Sequence, residues 1–204
     1  MTLICHEHRF VYLKARKVAS TSIEKALSLE CTGADDVVTK DTSSAGKEAP
    51  EPKNHGKLTG SDVEGASGAS HQYWQEIIKV YPNVQGYQKI CGIRNPIEQV
   101  NSLYYYSNNN RKMGFDQFIS FADGKGWLDN ERYYFPNGHP CEHVIRFENL
   151  ESDYQKVCES FGLTVQDLPH IRERPHAPAV VSDNARKMID KIYERTFKQW
   201  YPPV

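Results

Sequence analysis

Short apolar runs alternate along the chain with stretches in which apolar residues recur every three or four positions, and this alternation predicts strands and helices in turn. Phe10-Val11-Tyr12-Leu13 is a continuous apolar run of strand length, as expected for a strand covered on both faces. A basic, small-residue stretch follows, Lys14-Ala15-Arg16-Lys17-Val18-Ala19-Ser20, and then Ile23, Ala26 and Leu27 fall at helical spacing. Trp74, Ile77, Ile78 and Tyr81 mark a second helix, stopped by Pro82 and Asn83. Lys89-Ile90-Cys91-Gly92-Ile93 reads as a second buried strand. Three signals then open a helix: Asn95 as cap, Pro96 in the first turn and Glu98 at the capping-box position. Its apolar face is Ile97, Val100 and Tyr104.

Farther on, Phe115, Phe118 and Ile119 predict a short helix, and Val144-Ile145-Arg146-Phe147 a strand. Tyr154, Val157, Cys158 and Phe161 predict a helix ended by Gly162. A final helix is expected from about Asp183 to Trp200, with Ala185, Met188, Ile189, Ile192 and Tyr193 inward. Residues 32–70 are rich in Gly, Ser, Lys, Asp and Pro and poor in large apolar side chains. That composition predicts a long surface excursion or a lid rather than core. The whole implies an α/β fold in a single domain over residues 1–204, with a mostly parallel central sheet and helices on both faces.

Charge and composition narrow the function. A formal net charge of -1 argues against a dedicated nucleic-acid binder, while leaving room for a local basic pocket around one polyanion. No stretch is apolar enough to span a membrane and the N-terminus lacks a signal-peptide pattern, so a cytoplasmic location without membrane attachment is expected. Cys5, Cys31, Cys91, Cys141 and Cys158 are scattered and odd in number, which reads as reduced thiols; a trimmed luminal domain is the alternative.

Two segments carry candidate chemistry. The basic loop after the Phe10 strand opens a helix, where free N–H groups and the helix dipole favour an anion. Lys17 adds a full charge there, Ser20, Thr21 and Ser22 add hydroxyls, and Ala19 keeps the loop slim. It is not the nucleotide-triphosphate loop, since no glycine lies between Phe10 and Leu29. A capped helix with a solvated Lys17 is the plainer reading. Arg94 ends the second buried strand, and Ser102 follows eight positions later in the next helix. An arginine fork at a strand's carboxyl edge suits a phosphate. An ion pair with a surface carboxylate would explain it equally well.

Together these segments resemble the sulfotransferases that use 3′-phosphoadenosine-5′-phosphosulfate (PAPS). Lys17-Val18-Ala19-Ser20-Thr21-Ser22 is similar to their 5′-phosphosulfate loop, and Arg94-Asn95-Pro96 with Ser102 to their 3′-phosphate motif, in the same order. Phe147-Glu148-Asn149-Leu150 with the helix to Gly162-Leu163 resembles a third stretch, and Ile192-Tyr193-Glu194-Arg195 through Trp200-Tyr201 the closing helix. The likeness is nearer the carbohydrate-type branch. The chain departs from it at Ala19, where glycine is common, at Gln99, often arginine, and at Thr196, often acidic.

The resemblance implies a P-loop-like sulfotransferase architecture and transfer of a sulfuryl group from PAPS to a hydroxyl or amine of a small molecule or carbohydrate. It implies 3′,5′-ADP as the product and no metal. Lys17 would bind the 5′-phosphosulfate and stabilise charge on the bridging oxygen. Arg16, Val18, Ala19, Ser20, Thr21 and Ser22 would complete that loop, and Arg94 and Ser102 would hold the 3′-phosphate. Arg172 and Arg174, in the Pro-flanked stretch after Leu168, are within chain reach of the 3′-phosphate, and Arg174 is counted with the cofactor contacts; a solvated loop is the plainer reading of the pair. A base must take the acceptor's proton, and His71, expected to start the helix leading to the Arg94 strand, is the first candidate, with His55 second. Surface histidines are the plainer reading of both.

Cys5-His6-Glu7-His8 and His139-Pro140-Cys141-Glu142-His143 lack the paired spacing of a metal motif, so no metal site is expected. Tyr104-Tyr105-Tyr106 and Tyr133-Tyr134-Phe135 read as core, with some rings available to an acceptor. The competing enzyme class is a kinase-like phosphotransferase, disfavoured by the missing glycine-lysine loop. The non-enzymatic alternative is a nucleotide-binding module of the same fold without a competent base.

Overall fold

The computed structural model describes residues 2–39, 51, 53–54, 71–107, 112–169 and 179–202. His55, Arg172 and Arg174 therefore lie outside the described residues. Five strands form one sheet in the order β3-β1-β2-β4-β5: β1 Leu3–Cys5, β2 Phe10–Leu13, β3 Val37–Val38, β4 Gln88–Ile93 and β5 His143–Arg146. Eight α-helices accompany them among the described residues: α1 Ser20–Ser28, α2 Trp74–Val80, α3 Pro96–Ser107, α4 Phe115–Gly124, α5 Glu131–Tyr134, α6 Leu150–Phe161, α7 Asp183–Ile192 and α8 Glu194–Trp200. None is long and apolar enough to cross a membrane.

The parallel part of the sheet is β2, β4 and β5, the three strands legible as apolar runs. The sheet as a whole is mixed, which corrects the expectation of a mostly parallel one. β1 and β2 are joined by a four-residue turn with Arg9 at φ 55°, and strands so closely joined pair antiparallel. β3 adds to β1 antiparallel as well, and Lys53 bridges to Val38 beyond it. Residues 36–39 are thus not part of a surface excursion: Asp36, Val37, Val38 and Thr39 are all buried. Two residues are too few to give a strand period, so β3 left no trace in the pattern.

Side-chain alternation fixes which helix covers which face. Phe10, Tyr12 and Ile90 pack with Ile23, Ala26 and Leu27 of α1 and with Tyr154, Val157 and Cys158 of α6. Val11, Leu13, Cys91 and Ile93 face the other way, onto Trp74 and Ile77 of α2 and Tyr133 and Tyr134 of α5. The four residues of β2 are entirely buried, as expected of a central strand with both faces covered. A third apolar cluster joins α3 and α4 to α7, through Val100, Phe118 and Ile189.

Helix ends follow local chemistry with two departures. Asn95 caps α3 as expected, its side-chain oxygen accepting the Ile97 N–H at 3.0 Å. The reciprocal half of the capping box does not form, because the Asn95 N–H goes to Glu148 at 2.7 Å while Glu98 turns toward Arg94. Gly162 closes α6 at φ 66°. The single helix expected up to Trp200 is instead two, broken at Tyr193. There the Glu131 carboxylate accepts both the N–H and the hydroxyl of Thr196, at 2.7 and 2.8 Å, and so caps the start of α8 from outside. Apolar spacing carries no signal for a cap supplied sixty-five positions away.

Candidate active site

The two sequence constellations meet because β2 and β4 are neighbouring parallel strands. Leu13 is paired with Cys91, so the loop after β2 lies beside the end of β4, and both loops emerge at the carboxyl edge of the sheet. Contact there is close enough to require a glycine. A Cβ on Gly92 would stand 3.0 Å from Val18 Cγ2 and 3.1 Å from both Ile23 Cδ1 and the Val18 carbonyl oxygen. The backbone oxygen cannot swing aside, so Gly92→Ala is expected to push the loop outward and cost about 1–3 kcal/mol. Chemical denaturation checks it, an unchanged midpoint showing that the loop is not seated on β4.

The loop itself is bent by two left-handed residues, Lys17 at φ 63° and Ala19 at φ 58°. Ala19 is the N-cap of α1, and its carbonyl accepts the N–H groups of Ser22 and Ile23 at 3.0 and 3.2 Å. The N–H groups of Ser20 and Thr21, at the first two helical positions, point out of the helix end with no intrahelical acceptor. Among the described residues, the hydroxyls of Ser20, Thr21 and Ser22 take no hydrogen-bond partner, although all three residues are buried. Val18 is buried beneath the loop.

Two lysines serve this loop in different ways. Lys14 is buried and ion-paired at 2.9 Å with the fully buried Glu24 of α1. Lys17 is only half-buried, and its ammonium lies 4.2 Å from the ring centroid of Tyr106, across the cleft on α3. Tyr106 is one helical turn beyond Ser102, and Gln99 is three positions before Ser102, so all three share one side of α3. Gln99 donates to the Arg16 carbonyl at 2.6 Å and to the Tyr134 hydroxyl at 2.8 Å. Gln99 stands where the resemblance suggests arginine, and it works as a clamp between α3 and the loop. Arg16 is held at its N–H by Asn130, 2.9 Å away, while its guanidinium reaches the Gly126 carbonyl at 3.3 Å, away from Lys17's partner. Asn130, nearly fully buried, also donates to the Tyr193 hydroxyl.

Arg94 sits at the end of β4 with its guanidinium 4.0 Å over the Phe147 ring and 3.7 Å from Glu98. Burial draws its pKa below the ordinary value, against the opposing pull of Glu98, Glu148 and Tyr201, and an arginine stays charged throughout. Its Nε is buried without a hydrogen-bond acceptor among the described residues. The planar fork at the carboxyl edge of β4 has the charge and shape that suit a phosphate.

His71 is brought to the same loop, although α2 begins three residues later, at Trp74. Its Nδ1 donates to the Lys14 carbonyl at 2.7 Å, which leaves the lone pair on Nε2, and Tyr133 holds its backbone carbonyl at 3.0 Å. Burial first, and then nearby positive charge including Arg16 and Lys14, lowers its pKa well below 6.5, so the ring is neutral at pH 7. Tyr133 and Tyr134 are core; Tyr106 is the exposed exception among the aromatic clusters.

A concavity of about 360 Å³ lies on the Arg16 side, lined by Asp123, Gly126, Leu128, Asp129, Glu131 and Ile192. None of those lining residues is Lys17, Ser20, Arg94 or Ser102. Gly92, Gln99, Asn130 and the Lys14–Glu24 pair were not read as site residues from sequence. Gly92 carries a sequence signal as a glycine inside an apolar strand run, and Gln99 one as a departure within the Arg94–Ser102 motif.

The class defined by these observations is an α/β protein with one mixed sheet and a basic, hydroxyl-bearing loop at the carboxyl edge of its parallel strands. Comparison with protein-family models, curated proteins and solved structures found no match.

Proposed function

We propose that the chain is a sulfotransferase that takes PAPS as donor and sulfates a hydroxyl or amine of a small molecule or carbohydrate. The observation that carries this reading is the convergence of two anion-suited groups on one edge: the Lys17–Ser22 loop after β2, and Arg94 at the end of the neighbouring parallel strand β4. They stand at the ends of adjacent strands, as one ligand with a phosphosulfate at one end and a 3′-phosphate at the other requires. PAPS, when bound, supplies the sulfuryl group, transferred with cleavage of its S–O bond to the 5′-phosphate.

The protein's part is positioning and electrostatics. Lys17 meets the charge that develops on the departing phosphate oxygen, and the Ser20, Thr21 and Ser22 hydroxyls with the first N–H groups of α1 hold the 5′-phosphate. Arg94 and Ser102 hold the 3′-phosphate. Glu98, half-exposed and 3.7 Å from Arg94, gives way to it. The acceptor's proton goes to Nε2 of His71, whose neutral state is secured by burial and whose ring is oriented by Lys14.

Calorimetry with 3′,5′-ADP and 5′-AMP tests the reading. Preference for 3′,5′-ADP of about 10- to 100-fold is expected from a charge-assisted guanidinium–phosphate contact, with the preference lost in Arg94→Ala. Equal or absent binding of both nucleotides would return Arg94 to a structural ion pair and refute PAPS as the donor.

A further inference from the structure

We infer that Cys5, Cys31 and Asp36 form a binding site for a thiophilic divalent cation of the zinc class, on the edge of the sheet away from the active-site cleft. One sulfur from each cysteine and one carboxylate oxygen lie within 4.8 Å of one another, and all three residues are buried. Donors placed at zinc–sulfur and zinc–oxygen bond lengths around a tetrahedral ion stand roughly 3.5–3.8 Å apart. Side-chain adjustments of about an ångström therefore suffice to close this set around an ion. Two sulfurs and one carboxylate select zinc-like ions over magnesium or calcium, which want oxygen alone.

The donors come from three separate stretches: the end of β1, the turn after α1 and the residue before β3. Their surroundings resemble those of a ligand set rather than of a chance cluster. Asp36 is oriented by the N–H groups of His6 and Gly33, at 2.6 and 2.8 Å from its two oxygens, as carboxylate ligands commonly are. It has no ion pair with any cationic side chain among the described residues. A fully buried carboxylate beside two thiols lacks the counter-charge that burial normally demands. Lys53, which donates to the Cys31 and Gly33 carbonyls, would balance the one net negative charge of two thiolates, one carboxylate and a divalent ion. His6 stands apart, its Nδ1 3.0 Å from the Tyr87 hydroxyl. Three protein donors leave the fourth position to water or a small ligand. Such an ion would pin β3, only two residues long, to β1 and α1. Sequence spacing gave no hint, because Cys5 belongs to no paired motif and its partners lie 26 and 31 positions away.

Cobalt(II) added to the reduced, chelator-stripped full chain tests this without an identified physiological ion. One ion per chain is expected, with thiolate-to-cobalt charge-transfer absorption and the visible bands of a tetrahedral site. Cys31→Ala should abolish these bands and Cys91→Ala, an equally small change at a buried thiol, should keep them, with circular dichroism confirming that both fold. Absence of the bands in the unsubstituted chain overturns the proposal. So does recovery of the chain from cells without metal and with Cys5 and Cys31 joined as a disulfide, which would make the pair a redox crosslink.

Discussion

Lys17→Ala is expected to slow release of 3′,5′-ADP from PAPS by about a hundred- to a thousand-fold, the loss typical of removing one preorganised group that meets transition-state charge. Water can serve as acceptor in this assay, so no physiological acceptor is needed. Alanine is the informative replacement. It carries the same Cβ as lysine, so the left-handed conformation at φ 63° costs as much in the variant as in the parent. Glycine would relax that strain and mix a stability gain into the result. Binding of 3′,5′-ADP should weaken less than turnover falls, because Lys17 acts on charge that grows as the S–O bond breaks. A rate within a few-fold of the parent would leave Lys17 as no more than the partner of the Tyr106 ring, and the proposed mechanism would fail.

The parts of the fold legible in sequence were those with a long enough period. β2, β4 and β5 each bury at least one full apolar side chain on a covered face, and α3, α4 and α6 carry their caps and stripes on contiguous residues. What escaped was set by partners distant in the chain. β3 is a strand only because β1 offers it an edge, and the break at Tyr193 exists because Glu131 caps Thr196. The Glu98 half of the capping box lost to a competition between two carboxylates that local sequence cannot weigh. The site divides in the same way. Lys17, the three hydroxyls, Arg94 and Ser102 lie in two short segments with recognisable residue types. Gln99 and Asn130 act by reaching main-chain atoms of Arg16 from 83 and 114 positions away; Gln99 is marked only as a departure within the Arg94–Ser102 motif, and nothing in its surroundings marks Asn130. His71 is legible only from its place in the order of elements, and its hydrogen bond to the Lys14 carbonyl is a contact that order does not announce.

Glu24→Ala is expected to destabilise the chain by about 3–5 kcal/mol, because it removes the Glu24 carboxylate that faces the buried Lys14 ammonium. For a chain of 204 residues that is a fall in thermal midpoint of roughly 6–20 °C. The pair is closed to solvent on both sides, Lys14 at 4% and Glu24 at 0% exposure, and the second carboxylate oxygen of Glu24 has no hydrogen-bond partner among the described residues. Desolvation is therefore imperfectly compensated even in the intact pair. Replacing both residues with apolar ones of similar size, Lys14→Met with Glu24→Leu, should then restore most of the lost stability or exceed the parent. The double variant separates two reasons for the pair. If it is stable and still binds 3′,5′-ADP as the parent does, the ion pair is packing that happens to lie under the loop. If it is stable but binds the nucleotide several-fold more weakly, the pair fixes the loop: Lys14 lies between β2 and Lys17, its carbonyl orients His71, and Glu24 is one turn along α1 from Ser20. The second outcome is expected, since a charged pair constrains direction as well as distance, which an apolar contact does not.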